Sequence, residues 1–137
     1  VKERSKFEGW LKVELCDILI KYSKDIIPEK NRVDINFKDW GIELKTLNTN
    51  IRYLEIIDKT RPITKNVKGV ISDIRKLEKL SYVNKAVLFI VFPITHDNKK
   101  WNIRLDKIRM ELLSLDYCQF DFKNNIASGV MYFGLVK

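Results

Sequence analysis

The chain is poor in the residues that build metal and disulfide frameworks: of its 137 residues, two are cysteine and one is histidine. Cys16 falls on a segment with helical spacing and Cys118 on an alternating one. Without metal-ligand spacing, both are expected as buried thiols in a reducing compartment, which argues against a zinc site. His96 stands in a Thr-His-Asp-Asn-Lys-Lys stretch with no second histidine to share a metal or a nucleophile, and reads as a loop residue. No segment is apolar for the roughly 18 residues that a membrane span needs, so no membrane partner is expected. The longest apolar run, Ala86 to Ile94, suits a buried strand. There is no repeat, no low-complexity tract and no glycine-rich phosphate loop. Lys2, Glu3, Arg4 and Lys6 lead straight into an amphipathic segment, which is not the form of a signal peptide, so a cytoplasmic, intracellular protein is expected.

What the chain has in excess is positive charge. Lys and Arg number 26 against 18 Asp and Glu, a formal net charge of +8. That balance favours a polyanionic partner, because each phosphate neutralised by Lys or Arg releases condensed counterions. A solvated lysine-rich face gives the same count. The 45% hydrophobic fraction and the length suit about one domain with its own core, assigned to residues 1–137.

Residues of about 5 to 23 carry Phe7, Leu11, Leu15, Ile18, Leu19 and Tyr22 at helical spacing. Pro28 follows in a loop, then two short alternating runs, then a long polar connection from Asn48 to Ile63. Val67, Val70, Ile71, Ile74, Leu77 and Leu80 define a second helix, for which Thr64 or Asn66 could cap. Lys85 to Pro93 reads as a central strand covered on both faces. Trp101 to Leu115 reads as a third helix with Ile103, Ile108, Leu112 and Leu115 inward, and Tyr117 to Phe122 and Val130 to Val136 as closing strands. The expected fold is α/β, a single mixed β-sheet flanked by helices.

The most informative stretch runs from Arg32 to Lys45. Val33, Ile35 and Phe37 alternate with Asp34 and Asn36, and Ile42 and Leu44 alternate with Glu43 and Lys45, the period-two pattern of half-buried strands. Closed by Lys38-Asp39-Trp40-Gly41 with Phe37 opposite Ile42, the hairpin would set Asn36 opposite Glu43 and Asp34 opposite Lys45. On the first helix Glu14 lies four residues from both Trp10 and Ile18, at the expected edge of the apolar stripe, where a carboxylate needs a partner.

An acid on one strand and Glu-x-Lys on the next, preceded by a helix bearing a glutamate and followed by a helix and a buried strand, resembles the PD-(D/E)xK nuclease superfamily. The resemblance covers roughly residues 7 to 93 and implies a restriction endonuclease-like core. Asp34 matches the family's first acid, Glu43-Leu44-Lys45 its Glu-x-Lys, and Glu14 its helical acid. Val33 replaces the proline of the family's name, and the gap from Asp34 to Glu43 is tight. Asp39 is a rival first acid, although aspartate is also a good turn former.

The resemblance implies a metal-dependent endonuclease that hydrolyses DNA phosphodiester bonds and leaves a 5′-phosphate, in restriction and defence or in repair and recombination. Asp34, Glu43 and the Leu44 carbonyl would hold Mg²⁺, with Mn²⁺ able to substitute. Lys45 would orient the attacking water or stabilise developing charge, with Glu14 as an auxiliary acid. Cutting both strands would call for a homodimer or an additional subunit. Lys65, Asn66 and Lys68 at the second helix, and Lys99, Lys100 and Arg104 at the third, are candidate DNA contacts. The alternative is a non-catalytic nucleic-acid-binding module with a nuclease-like fold. The plainer readings are an Asp34–Lys45 surface ion pair, a Glu14–Lys21 pair, ordinary capping at Asn66, and Trp101 as core instead of a stacking platform.

Overall fold

Apolar residues on both faces of β-strands demand cover on both sides, and the computed structural model supplies it with helices on either side of one sheet. It describes residues 2–49, 63–121 and 128–137, with side chains from Glu8 onward. The elements are α1 (Lys2–Leu19), β1 (Ile26–Pro28), β2 (Ile35–Phe37), β3 (Trp40–Asn48), α2 (Ile63–Glu78), β4 (Asn84–Phe92), α3 (Lys99–Arg109), β5 (Leu112–Asp121) and β6 (Ser128–Val136), with a short 3₁₀ turn at Lys30–Arg32. The six strands form one sheet in the order β1-β2-β3-β4-β6-β5. β3 and β4 run parallel, joined through α2, and the other pairs are antiparallel. The protein is therefore α/β with a mixed sheet flanked by helices.

Leu47 of β3, Val87, Phe89 and Val91 of β4, and Val130 and Tyr132 of β6 form one core with Val67, Val70, Ile74 and Leu77 of α2 and Trp101, Leu105 and Ile108 of α3. On the opposite face Ile35, Leu44 and Leu88 form a smaller core against Leu15, Cys16 and Leu19 of α1. The continuous apolar run of β4 is explained by its place between the two.

Several sequence expectations need correction. The hairpin turns on two residues, Lys38 and Asp39, with Lys38 at φ 51° and Phe37 paired with Trp40, not Ile42. The third helix stops at Arg109 because Leu112 to Asp121 form a ladder with β6 instead. Ile103 is consequently exposed, and Trp101, Leu105 and Ile108 make the buried stripe. Pro28 ends the short edge strand β1, a position that needs no amide on its outer side. α2 starts at Ile63, so Thr64 and Asn66 lie inside it and do not cap it. Cys118 is exposed and Cys16 half-buried, so neither is the fully buried thiol expected. Residues 50–62 of the Asn48–Ile63 connection, Phe122 and the side chain of Phe7 lie outside the described residues.

His96 does occupy a loop, where its Nδ1 lies 2.9 Å from the Tyr132 hydroxyl. The buried Trp101 indole donates to the same hydroxyl at 2.8 Å, which makes Trp101 part of the core. No described helix is long and apolar enough to cross a membrane.

Candidate functional site

The two-residue turn moves the hairpin register by two. Ile35 pairs with Ile42 and Asn36 with Gly41, so the next pair outward sets Asp34 opposite Glu43, where the longer loop would have given it Lys45. Residues directly opposite on antiparallel strands share a face. The two carboxyl groups are thus neighbours and share a hydrogen bond.

β2 begins at Ile35, so among the described residues no strand pairs with the β3 edge beyond Ile42 on that side. Carboxylates take over its amides. The Leu44 N–H donates to Asp34 Oδ2 at 2.9 Å, and the Thr46 N–H donates to Glu8 Oε2 at 3.2 Å. In an extended strand a residue's carbonyl points to the same side as its amide, so the Leu44 carbonyl also faces this edge. Glu8 comes from α1, whose sheet-facing side carries Glu8, Leu11, Lys12 and Leu15 at spacings of three and four.

Glu14 is not part of this group. It is exposed, because two residues beyond Lys12 on a helix is a rotation of about 200°. The helical acid that the fold brings to the hairpin is Glu8, and the sequence contained a sign of it: Glu8 is in phase with Leu11, Leu15 and Leu19, and Glu14 is not.

Each charge at the site has a counter-charge. Lys12 Nζ lies 2.9 Å from Asp34 Oδ1 and 2.7 Å from the exposed Glu29. Lys76 of α2 pairs with Glu43, and three residues earlier on the same helix Asp73 Oδ2 lies 3.0 Å from Lys45 Nζ. α2 therefore offers a partner of opposite sign to both members of Glu43-Leu44-Lys45. Neither Lys12 nor Asp73 was singled out by sequence reasoning, since each is an ordinary charged residue until the packing of its helix is known, and Lys76 was read only as one of the charges on the outer face of the second helix.

The electrostatics of the pair are asymmetric. Burial, and next the hydrogen bond to the Asp34 carboxylate, push Glu43 up to about 7 against the pull of Lys76. Burial acts to raise Asp34 too, but its hydrogen bonds with Glu43, the Leu44 amide and Lys12 outweigh it and hold Asp34 below the usual carboxylate range. A half-buried and a buried carboxyl group side by side, with the first readily ionised, is a donor set suited to a hard cation, which would stabilise both anions at once. Among the described residues no group of three or more His, Cys, Asp or Glu converges; the atoms at this edge that could serve such an ion are the Asp34 and Glu43 carboxyl oxygens and the Leu44 carbonyl.

The other candidates fall elsewhere. Lys65 and Lys68 are exposed on α2. Asn66 is buried and its amide donates to the Asn48 carbonyl at 3.1 Å, bracing the end of β3; it is not presented to a phosphate. Lys99, Lys100 and Arg104 line a concavity with Thr49, Ile63 and Trp101 at the far end of β3, apart from the carboxyl pair. Compared with known proteins, the chain matches no family model, no curated protein and no solved structure.

Proposed function

We propose that the chain is a metal-dependent DNA endonuclease of the PD-(D/E)xK type, with Asp34, Glu43 and the Leu44 carbonyl as the holders of Mg²⁺ or Mn²⁺. The observation that carries the reading is the Asp34–Glu43 pairing across the hairpin, with Lys45 two residues further along the same face. The order α1, β1–β3, α2, β4 supports a restriction endonuclease-like core. A bound divalent cation would neutralise phosphodiester charge and acidify water.

The chain's own residues do the rest. Asp34 and Glu43 supply hard oxygen donors. Lys45, kept close to Glu43 by the strand and oriented by Asp73, presents an ammonium to the developing negative charge. Glu8 accepts from the Thr46 amide on the same edge of β3 and so helps to fix the strand segment that carries the Leu44 carbonyl. Acting on both strands of DNA calls for a homodimer or another subunit, since the described residues present one such site.

One observation favours the non-catalytic alternative: Asp34, Glu43 and Lys45 are all ion-paired within the chain, as a purely structural charge network would be. Supercoiled plasmid with Mg²⁺ or Mn²⁺ separates the two. Nicking that needs the metal and disappears in Lys45→Ala supports the nuclease; no nicking, or equal nicking by the variant, leaves the binding module.

A further inference from the structure

The exposed side of α2 has a regularity that the proposed chemistry does not use. Its buried face is Ile63, Asn66, Val67, Val70, Ile74 and Leu77. Opposite that face, Lys65, Lys68, Ser72, Arg75 and, in the turn just past the helix end, Lys79 follow one another at spacings of three, four, three and four, all exposed. That is the spacing of a single stripe along a helix. No acid interrupts it. The two acids of the helix sit off the stripe: Asp73 is turned to Lys45, and Glu78 is half-buried. Arg75 is tempered by Glu111, which takes its guanidinium at 2.8 Å and 3.4 Å, and by nearby Glu78. Lys65, Lys68 and Lys79 have no ion-pair partner among the described residues.

We infer that this stripe is the track for a duplex DNA backbone, which runs along α2 and reaches the Asp34–Glu43 pair at Lys76. The fourteen steps from Lys65 to Lys79 span about 21 Å at 1.5 Å per residue, the length of about six base-pair steps. Lys68, Ser72, Arg75, Lys76 and Lys79 edge one shallow depression, and Lys76 on its rim is the residue that pairs with Glu43. The cationic track and the carboxyl pair therefore adjoin. The stripe consists of four cationic side chains and one hydroxyl, the groups that supply most contacts to phosphate oxygens.

The identity of the polyanion as a nuclease substrate rests on the proposed function, but the binding does not, and it can be read in EDTA where no metal-dependent cleavage occurs. The probe is a short fluorescein-labelled duplex of random sequence, with affinity followed by anisotropy between about 50 mM and about 200 mM salt. Two variants of equal charge are compared with the parent: Lys65→Ala/Lys68→Ala/Lys79→Ala on the stripe, and Lys21→Ala/Lys24→Ala/Lys107→Ala, exposed lysines off it. All six positions are solvent-facing, and melting curves confirm that both variants fold.

The stripe variant is expected to bind at least about tenfold more weakly and to lose about 2 to 3 from the slope of log K against log salt, at about 0.9 per phosphate contact, while the other variant loses less than about 1. Equal losses in the two variants would overturn the track, as would no duplex binding by the parent, or binding by the parent to phosphatidylserine vesicles and not to duplex. Loss of plasmid nicking with the track intact would reject only the nuclease; nicking that persists in the stripe variant at undiminished affinity would reject only the track.

Discussion

Asp34 and Glu43 face each other across the first antiparallel hairpin, one a carboxylate held ionised by Lys12 and a backbone amide, the other a carboxyl pushed up to about 7. The asymmetry follows from which neighbours each has. Asp34 accepts from Leu44 and Lys12, while Glu43 is more deeply buried and has the Asp34 charge at its side.

This asymmetry gives the metal-free protein a defined pH dependence. Glu43 has an ordinary value of 4.5, and the folded chain retains its proton up to about 7. Between those values the folded state binds more protons than the unfolded one, so stability falls as pH rises through the window. Asp34 works in the opposite direction, and only at lower pH, because its pKa is depressed. Melting temperatures in EDTA from about pH 5 to about pH 8 should decline, and Glu43→Gln should flatten the decline.

Lys12 would compete with a cation for Asp34. One Asp34 oxygen is used by the Leu44 amide and the other by Lys12, which has Glu29 as a second partner to retire to. Lys12→Met should destabilise the metal-free protein by about 1–3 kcal/mol, the cost of leaving a partly buried carboxylate unpaired. The same variant should show a larger rise in melting temperature on adding Mn²⁺ than the parent does. A smaller rise would place Lys12 among the groups that assist the cation.

In the proposed nuclease, Asp73 would act through Lys45. With the carboxylate 3.0 Å from the ammonium, Asp73→Asn should lower plasmid nicking about 10- to 100-fold, as loss of an orienting partner does at metal sites. The loss should appear in kcat with KM unchanged, and Asp116→Asn, an exposed acid on the opposite edge strand β5, should leave kcat near that of the parent.

The hairpin is also held from behind. A Cβ on Gly41 would lie 2.7 Å from the ring of Tyr82, whose hydroxyl donates to Asn36 Oδ1 on the neighbouring strand. Gly41→Ala should cost about 1–3 kcal/mol in chemical denaturation. Adding Tyr82→Ala should recover less than the whole, since the hydrogen bond to the buried Asn36 is lost with the ring.

How far the sequence carried can be seen from particular elements. Val67, Val70, Ile74 and Leu77 form the buried stripe of α2 as their spacing predicted, and the run at β4 lies between two cores. These elements have patterns that packing alone can satisfy. The hairpin alternation was equally legible, but its register was not, because a two-residue turn and a four-residue loop fit the same alternation. Leu112 to Leu115 continue a helical pattern in sequence and become strand only because β6 is there to pair with them. At the candidate site, the nearness of Asp34, Glu43 and Lys45 to one another was readable, whereas their ion-pair partners on α1 and α2 depended on how those helices lie on the sheet. Glu8 was within reach of a stricter test of helical phase.

The claim on which the rest depends is that the Asp34–Glu43 pair takes up a divalent cation. Calorimetric titration of Mn²⁺ into the protein, beside its Asp34→Asn/Glu43→Gln variant, measures it directly. The account predicts heat of binding in the parent, accompanied by proton release near neutral pH, and none in the variant; identical titrations of the two proteins, or no binding by the parent, would contradict it.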